Sequence, residues 1–435
     1  MARFGSHSTR ISFGSESLTH FGGLFLLHRF FQKLALRSGL AHHVQFPQRN
    51  NRYAISESLL ALLCPIILGL GRVETSQLLK YNGVFQYLTG LRTFPNSQTL
   101  RRFLIRFGEA GLPRFLRLHD ALQQEVFKRP KCPSLLIFDW DTTVLTVYGR
   151  QEKAAVGYNP RKRGRRSYLP LLCLEGQTRD CWDASYHPGN VHPGSIFLPA
   201  FQRAFAKVPR GVQEIRVRAD QAFYDHEIIE FLEGKRAFYV MAARLTRPLQ
   251  ERVTAVRYHR VSGETYAAEF HYQPSRWPGS RRFVAIRRTV PEEPSFQLTL
   301  WQMNKYSCQV LVANLDLTPL NLWRFYNDRA RAELIIRELK EAYALGKIPT
   351  RIWGANVAHF HLAVFAYNLL NWFKRLCVAP EWQKLTLQTL RNRLLLIPAE
   401  LVRPQGRWAL KMPRGYPHQN QFLKTLKRID GFRLT

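Results

Sequence analysis

The chain has 435 residues, enough for two or three domains and a large hydrophobic core. Its content of 46% hydrophobic and 13% aromatic residues excludes general disorder. There are 64 Lys and Arg residues against 31 Asp and Glu, a formal net charge of +33. A protein this basic usually binds a polyanion, and nucleic acid is the first candidate. An anionic membrane surface is the competing partner, but the basic residues are spread through the chain rather than gathered beside one amphipathic helix.

The sequence favours a cytoplasmic location. Its N-terminus lacks the apolar stretch of a signal peptide. The longest apolar run, residues 59–70, contains a proline and is too short to span a bilayer. The six cysteines form no C-x-x-C pair and have no neighbouring ligand histidines, which predicts free thiols in a reducing compartment and no zinc site.

Residues 1–130 predict a helical N-terminal region that binds DNA. Asn96 or Ser97 is a plausible N-cap for a basic segment rich in Arg and Phe. A helix of this kind could lie on DNA like a recognition helix. A short helical bundle with a solvated basic face fits the pattern nearly as well, because no strict helix-turn-helix signature is present. Apolar residues recur at three- and four-residue spacing in segments 21–36, 55–70 and 112–127.

The hydrophobic period then changes, and residues 131–245 predict the first part of an α/β core. A short apolar run that ends at Asp141 is typical of a central buried strand. A second strand, with alternating polarity, ends at Asp220. A third strand, strongly apolar, spans residues 237–243. Two of the three predicted core strands therefore end in an acid.

Between the first two of these strands lies a strongly basic segment, residues 157–168, bracketed by Tyr158 and Tyr168. Such a run is usually a solvated loop. Aromatic rings beside guanidinium groups are also what a nucleic-acid backbone and unstacked bases prefer, so its cations are candidate DNA contacts. The five cations are Arg161, Lys162, Arg163, Arg165 and Arg166.

Three further segments complete the predicted organisation. Residues 246–307 are rich in β-branched and aromatic residues with turn signals, which predicts an antiparallel β-rich insertion. Residues 308–380 predict the second part of the core, with a strand, a charged helix and a long apolar helix. Residues 381–435 hold eleven Lys and Arg against three acids, a basic C-terminal region that could lie along DNA or simply be solvated.

The charged helix of the second core segment carries a polar stripe. Strong helix formers without Gly or Pro fill residues 320–345, which predicts one continuous helix. One carboxylate flanked by two cations and a phenol on its face suits a phosphate-handling site. An exposed helix with an i,i+4 ion pair is the plainer alternative. The four residues project at roughly 0°, 300°, 340° and 320° on the helix: Tyr326, Arg329, Glu333 and Lys340.

Three acids share a predicted position at one end of the core. Asp141 and Asp220 end strands, and Glu333 lies at the edge of the apolar face of a helix. Ligands of α/β domains gather at the carboxyl ends of the strands, so these three carboxylates could converge. Converging carboxylates repel unless a cation lies among them, and hard oxygen ligands favour Mg²⁺ or Mn²⁺. In a strongly basic protein the combination predicts metal-assisted phosphoryl transfer on nucleic acid.

The spacing of the polar stripe resembles that of bacterial insertion-sequence transposases of the DDE superfamily. One branch of that family carries a signature of Tyr, two residues, Arg, three residues, Glu, six residues, Lys. Tyr326, Arg329, Glu333 and Lys340 reproduce every spacing. The resemblance covers most of residues 135–375 and implies an α/β fold. This fold has an RNase H-like mixed sheet flanked by helices, a β-rich insertion, a helical N-terminal domain and a basic C-terminal region.

The contexts of the two aspartates also resemble that family. Its first catalytic Asp ends an apolar strand and precedes small or hydroxyl residues, which fits Asp141, with Asp139 on the same side of the strand as the alternative. Its second lies in an Arg-Ala-Asp-x-Gly/Ala-Phe context, which fits Asp220. Ala222 stands where many relatives have Gly, a mild departure that leaves the assignment of Asp220 intact.

The resemblance implies roles for these residues. The three acids would be catalytic and would bind Mg²⁺ or Mn²⁺, two ions per site. Tyr326, Arg329 and Lys340 would contact phosphates of the transposon end. Relatives stack a Trp of the insertion on a flipped base, for which Trp301 and Trp277 are the candidates, although a core position is the plainer role for either.

The resemblance further implies a metal-dependent cut-and-paste DNA transposase of an insertion sequence. It would bind the terminal inverted repeats, cleave the ends and join them to target DNA, as a homodimer on double-stranded DNA in the bacterial cytoplasm. A nuclease of the same fold without strand transfer is the nearest rival. A catalytically inactive or domesticated DNA-binding copy is the alternative from another class, and the intact acids argue against it.

Overall fold

The computed structural model describes residues 16–48, 52–289, 301–303 and 306–434. The chain divides into two compact units. The first comprises residues 1–115 and 373–435, and the second comprises residues 116–372. No helix of the described ranges is both long and apolar enough to cross a bilayer.

The α-helices of the described residues are α1 (Leu24–Lys33), α2 (Leu36–His43), α3 (Ile55–Ile67), α4 (Gly83–Thr89), α5 (Ser97–Arg106), α6 (Leu112–Phe127), α7 (Pro193–Ala206), α8 (His226–Gly234), α9 (Arg247–Ala255), α10 (Pro319–Asn327), α11 (Ala330–Ala342), α12 (Trp353–Cys377), α13 (Leu387–Leu390) and α14 (Gln419–Gly431). The strands are β1 (Leu18–Thr19), β2 (Leu135–Thr142), β3 (Leu145–Thr146), β4 (Ala155–Val156), β5 (Arg166–Glu175), β6 (Cys181–Pro188), β7 (Glu214–Ala219), β8 (Phe238–Ala242), β9 (His259–Ser262), β10 (Thr265–Tyr272), β11 (Arg281–Thr289), β12 (Trp301–Met303), β13 (Tyr306–Ala313), β14 (Ala399–Val402) and β15 (Ala409–Lys411).

The first unit is mainly helical, as the N-terminal sequence pattern predicts. Its α3 is buried on nearly all sides, and α5 begins at the predicted cap, where the Asn96 side chain accepts from the Thr99 N–H at 2.8 Å. The C-terminal segment belongs to the same unit. β14 pairs with β1 and β15 in an antiparallel sheet, and Asp430 of α14 accepts from Arg29 of α1 at 2.7 Å.

The second unit is built on a mixed sheet. In the described residues its strand order is β3-β5-β2-β7-β8-β13-β11-β10-β9, with β4 and β6 on β5 and β12 on β13. The pairs β2–β7 and β7–β8 are parallel, and the other pairs are antiparallel. Apolar residues of α7, α8 and α9 pack on one face of the sheet and those of α10 on the other. The predicted α/β fold with an RNase H-like mixed sheet is therefore confirmed.

The predicted β-rich insertion extends this sheet. β9, β10 and β11 form an antiparallel series that joins β13, and β13 pairs antiparallel with β8 through Val312 and Met241. Both faces of β11 are apolar at its centre, where Phe283, Val284 and Ala285 are fully buried. Alternating side chains of the insertion thus enter both hydrophobic cores of the unit.

α10 and α11 are two helices, whereas the composition of this stretch predicts one. A continuous helix requires the Phe325 carbonyl to accept from the Arg329 N–H. Instead, the Arg329 N–H donates to the Tyr326 carbonyl at 3.0 Å, and the Phe325 carbonyl accepts from the Arg218 guanidinium at 2.9 Å. The prediction of one helix is wrong because an arginine from β7 replaces a hydrogen bond of the helical series.

Candidate active site

Two of the predicted acids lie at the carboxyl ends of neighbouring parallel strands. Trp140 of β2 is in register with Ala219, the last residue of β7. Asp141 and Asp220 each follow their member of this pair by one residue, so both lie at the same edge of the sheet. The strand register therefore places these two acids side by side.

Backbone hydrogen bonds hold each aspartate in place. Asp141 Oδ1 accepts from the Thr142 N–H at 2.8 Å. Asp220 Oδ1 accepts from the Ala222 N–H at 2.9 Å and caps the short 3₁₀ turn that follows β7. One oxygen of each carboxylate thus accepts a backbone hydrogen bond that fixes the side chain. The second oxygen can contact other groups.

Arg329, between α10 and α11, brings the third acid to this edge. Its Nη1 lies 3.5 Å from Asp141 Oδ2, and its Nη2 donates to Glu333 Oε1 at 3.2 Å. The guanidinium carbon also lies 5.8 Å from the centre of the Tyr326 ring. The Arg329 side chain is 11% exposed, so this cation is largely removed from water. One guanidinium therefore connects Asp141, Glu333 and Tyr326.

The charges of this cluster shift one another's pKa. Burial raises the pKa of Asp141 to about 7; Arg329 opposes that shift, and the carboxylates of Asp220 and Glu333 add to it. Burial also raises the pKa of Asp220, again opposed by Arg329. Burial by itself would lower the pKa of Arg329, but Tyr326 and the three carboxylates outweigh burial and raise it. The structure thus brings the three predicted acids together around one cation.

The donor set fits a hard divalent ion. Within the described ranges, no three His, Cys, Asp or Glu residues are grouped closely enough to hold a metal as the side chains stand. However, the carboxylates of Asp141, Asp220 and Glu333 already interact with a cation, and Arg329 Nη1 is buried without a hydrogen-bond partner. Carboxylate oxygens are the ligands that Mg²⁺ and Mn²⁺ prefer. These three residues would hold such an ion.

The remaining residues of the polar stripe occupy different environments. Lys340 of α11 donates from Nζ to Thr143 Oγ1 at 3.1 Å and to the Val144 carbonyl at 3.3 Å, beyond the end of β2. Tyr326 lies in α10 and is 6% exposed, packed in the core beneath the sheet. Tyr326 is therefore buried beside Arg329, whereas Lys340 contacts the residues that follow β2.

Asp139, the alternative to Asp141, is committed to another partner. Its two carboxylate oxygens accept from Arg218 Nε at 2.5 Å and Nη2 at 2.7 Å. The two residues are direct neighbours in the β2–β7 register, and both side chains are 3% exposed. The sequence names Arg218 only as the first residue of the Arg-Ala-Asp context of Asp220, and its pairing with Asp139 follows from the β2–β7 register.

Four of the five predicted cations lie on the loop between β4 and β5, the fifth, Arg166, is the first residue of β5, and all five are exposed. Arg161 of this loop lies near Lys340, since burial and then the charge of Arg161 lower the pKa of Lys340. Of the two bracketing tyrosines, Tyr158 is 80% exposed, whereas Tyr168 is fully buried and donates to the Glu152 carbonyl at 2.6 Å.

The insertion contains the two candidate tryptophans, Trp277 and Trp301. Trp277 is partly buried, and its ring centre lies 5.0 Å from that of Tyr224. The Trp301 backbone forms part of β12, but its side chain lies outside the described residues. Trp277 therefore contributes to the core of the second unit.

The mixed sheet of this chain has acids at the ends of its parallel strands and an exposed basic loop nearby. This arrangement is typical of enzymes that act on nucleic-acid phosphates. The chain belongs to the family described as transposase DDE domain group 1, whose sequence model matches residues 2–434. This membership confirms the resemblance to DDE transposases and identifies the chain as a transposase.

A search of solved structures finds a similar chain in a cryo-EM structure of the piggyBac transposase synaptic complex with hairpin DNA. The two share 12% sequence identity with a TM-score of 0.48 over 87% of this chain and 81% of that one. Among curated protein sequences, none matches this chain.

Proposed function

We propose that this transposase performs metal-dependent cut-and-paste transposition of a bacterial insertion sequence. It would bind the terminal inverted repeats of its element, cleave the DNA at the ends and transfer the freed 3′ ends to target DNA. The observation that carries this proposal is the convergence of Asp141, Asp220 and Glu333 around Arg329 at the edge of the sheet. Membership of the DDE family supports the same reaction class.

The three carboxylates would bind Mg²⁺ or Mn²⁺. Two such ions, when bound, would activate the attacking oxygen and stabilise the leaving oxygen of a phosphodiester. The residues of the chain contribute orientation: the backbone N–H groups of Thr142 and Ala222 fix Asp141 and Asp220, so that one oxygen of each faces the cluster. Glu333 is the most exposed of the three, with its side chain 59% exposed, and is therefore free to adjust.

Arg329 would serve two partners in turn. Its 3.5 Å contact with Asp141 and 3.2 Å contact with Glu333 are longer than a strong charge-assisted hydrogen bond. A cation that neutralises the carboxylates in this way must give way when divalent ions bind there. The guanidinium would then be available for bidentate contact with a DNA phosphate.

The basic surfaces would bind DNA beyond the reacting phosphate. Lys340 and the five exposed cations of residues 161–166 would contact the DNA backbone near the cleavage point, as Arg161 lies within electrostatic range of Lys340. The helical region of residues 1–130 and the basic region of residues 381–435 would bind the terminal repeats. Because two transposon ends must be joined in one complex, we expect a homodimer on DNA in the bacterial cytoplasm.

Cleavage of a labelled duplex that carries the end of the element tests this proposal. The wild type is compared with Glu333→Gln in Mg²⁺ and in EDTA. The matched control is Glu341→Gln, the same substitution at an exposed position on the same helix. We expect metal-dependent cutting at the end, lost in Glu333→Gln while DNA binding survives, and retained in Glu341→Gln.

Other outcomes would redirect the assignment. Equal cutting by Glu333→Gln would show that the catalytic carboxylate is a different residue. Tight binding without cutting by the wild type under several metals would favour an inactive or domesticated DNA-binding protein. Cutting without joined products, after target DNA is added, would favour a nuclease of the same fold.

A further inference from the structure

Two tyrosines beside the basic loop are unusually exposed. Tyr148 is 74% exposed and Tyr158 is 80% exposed. Val156, two residues before Tyr158, is 55% exposed as well. Within the described residues, neither tyrosine ring contacts another aromatic ring or a cation of the chain. Two large aromatic surfaces are thus left to solvent in the second unit.

The strand register places the two tyrosines on either side of one strand. Arg166, the first residue of β5, accepts from the Val147 N–H at 2.8 Å on one edge and pairs with Val156 on the other. β3 and β4 are both antiparallel to β5, so both run toward the basic loop. Tyr148 follows Val147 directly, and Tyr158 follows Val156 after Gly157, so both tyrosines lie just beyond the paired residues on the two edges of β5. Both exposed rings therefore belong to the end of β5 at which the basic loop enters the sheet.

The backbone around Tyr158 is firmly held although its ring is exposed. Asn159 is buried, donates to Thr146 Oγ1 at 3.1 Å and accepts from the Lys162 N–H at 3.1 Å. On the other side, Gly157 lies so close to the Gly189 carbonyl that a Cβ atom would meet it at 1.7 Å. A fixed backbone presents the ring at little further cost in conformational entropy.

The charge of this surface fits a nucleic-acid strand, and it adjoins the acid cluster. In the described part of the chain, no carboxylate forms an ion pair with the five loop cations. β3 begins at Leu145, directly after Thr143 and Val144, the two residues that accept from Lys340. A strand that leaves the reacting phosphate along the loop would thus pass the two tyrosines.

We infer that Tyr148 and Tyr158 form a stacking surface for unpaired bases of DNA beside the active site. Paired bases in a duplex are covered by their neighbours, whereas every unpaired base has an open face that an aromatic side chain can stack on. The loop cations would hold the phosphates of the same strand. This inference rests on the proposed function in taking DNA as the ligand, and it adds a preference for the unpaired form.

Binding measured without metal tests the inference separately from cleavage. Fluorescence anisotropy in EDTA compares an oligothymidylate of about 20 nucleotides with a mixed-sequence duplex of the same length. The variants are Tyr148→Ala, Tyr158→Ala, the double variant and the corresponding Phe variants, which keep the ring. Phe238→Ala is the control, because Phe238 is a 37% exposed aromatic residue of the second unit and has no assigned role in DNA binding.

We expect each Ala substitution to weaken oligothymidylate binding about 10-fold, with duplex binding and the thermal midpoint almost unchanged. The Tyr→Phe variants and Phe238→Ala should bind like the wild type. Equal losses for single strand and duplex, or no loss for either, would overturn the inference. So would tighter binding of oligouridylate than of oligothymidylate, which would point to RNA. None of these readings depends on whether the protein cuts the end of its element.

Discussion

Strand β2 carries two aspartates on the same face, and each lies beside an arginine from another element. Asp139 accepts two hydrogen bonds from Arg218, of 2.5 and 2.7 Å, and both side chains are 3% exposed. Asp141 lies 3.5 Å from Arg329, and its side chain is 14% exposed. The first contact is a closed bidentate pair, and the second is one side of an open cluster of three carboxylates.

This difference separates a charge that supports structure from charges that remain available to a ligand. Arg218 satisfies both oxygens of Asp139 and also donates to the Phe325 carbonyl, which ends α10 and allows the chain to turn into α11. Arg329 follows that turn. The Asp139–Arg218 pair therefore helps to position Arg329 beside the three carboxylates, although neither residue of the pair contacts them.

The largest effect that we expect is the loss of DNA cleavage in Asp141→Asn. Asp141→Asn removes a carboxylate that we assign to metal binding, and we expect cleavage of the transposon end to fall about 1,000-fold or more, with DNA binding retained. The rate is measured on a labelled end duplex in Mg²⁺. A loss below about 10-fold would contradict the role of Asp141.

Asp139→Asn should act on stability instead. Removing one partner of a buried ion pair leaves an uncompensated charge on Arg218, and we expect a loss of about 3 to 5 kcal/mol in the free energy of unfolding. Urea denaturation followed by tryptophan fluorescence measures it. The double variant Asp139→Asn/Arg218→Met should recover part of the loss, since no lone charge then remains buried. A single variant as stable as the wild type would show that the pair is not structural.

Asp141→Asn should stabilise the metal-free protein at neutral pH. The pKa of this carboxyl is about 7 in the folded chain and near 4 in an unfolded one, so the folded state binds one more proton between these values. Its contribution to stability is therefore full at pH 4 and is lost as the pH rises to 7. We expect Asp141→Asn to be about 4 kcal/mol more stable at pH 7.5, the free energy that separates a pKa of about 7 from one near 4, and no more stable at pH 4. A thermal midpoint in EDTA that rises equally at both pH values would contradict this explanation.

Arg329→Gln should change the affinity of the acid cluster for a divalent ion. Without the guanidinium, the carboxylates lose their internal cation, and we expect Mn²⁺ to bind on the order of 10-fold more tightly while cleavage is lost. Calorimetric titration with Mn²⁺ at pH 8 measures the affinity. The control is Arg331→Gln, whose guanidinium contacts Asp328 at 3.7 Å instead of the cluster. Weaker Mn²⁺ binding by Arg329→Gln would show that this arginine supports the ion rather than competing with it.

Features that depend on local pattern can be predicted from the amino-acid sequence. Alternating and apolar runs predicted β2 and β7, and their last residues indicated Asp141 and Asp220, because a strand's end can be read from the change of polarity. The spacing of the polar stripe indicated the DDE family, which the family match confirms. The helical N-terminal region and the β-rich insertion followed from the two hydrophobic periods in the same way.

Features that depend on contacts between residues distant in the chain cannot be predicted in this way and are visible in the folded structure. Asp139 and Asp141 look equivalent in sequence, and Arg218 distinguishes them from 79 residues away. The same arginine divides α10 from α11, which no helix propensity predicts, since the competing donor belongs to another element. Tyr158 and Tyr168 likewise bracket the basic loop symmetrically in sequence. The strand register buries Tyr168 in β5 and leaves Tyr158 exposed beyond β4, because burial depends on which strands lie on either side.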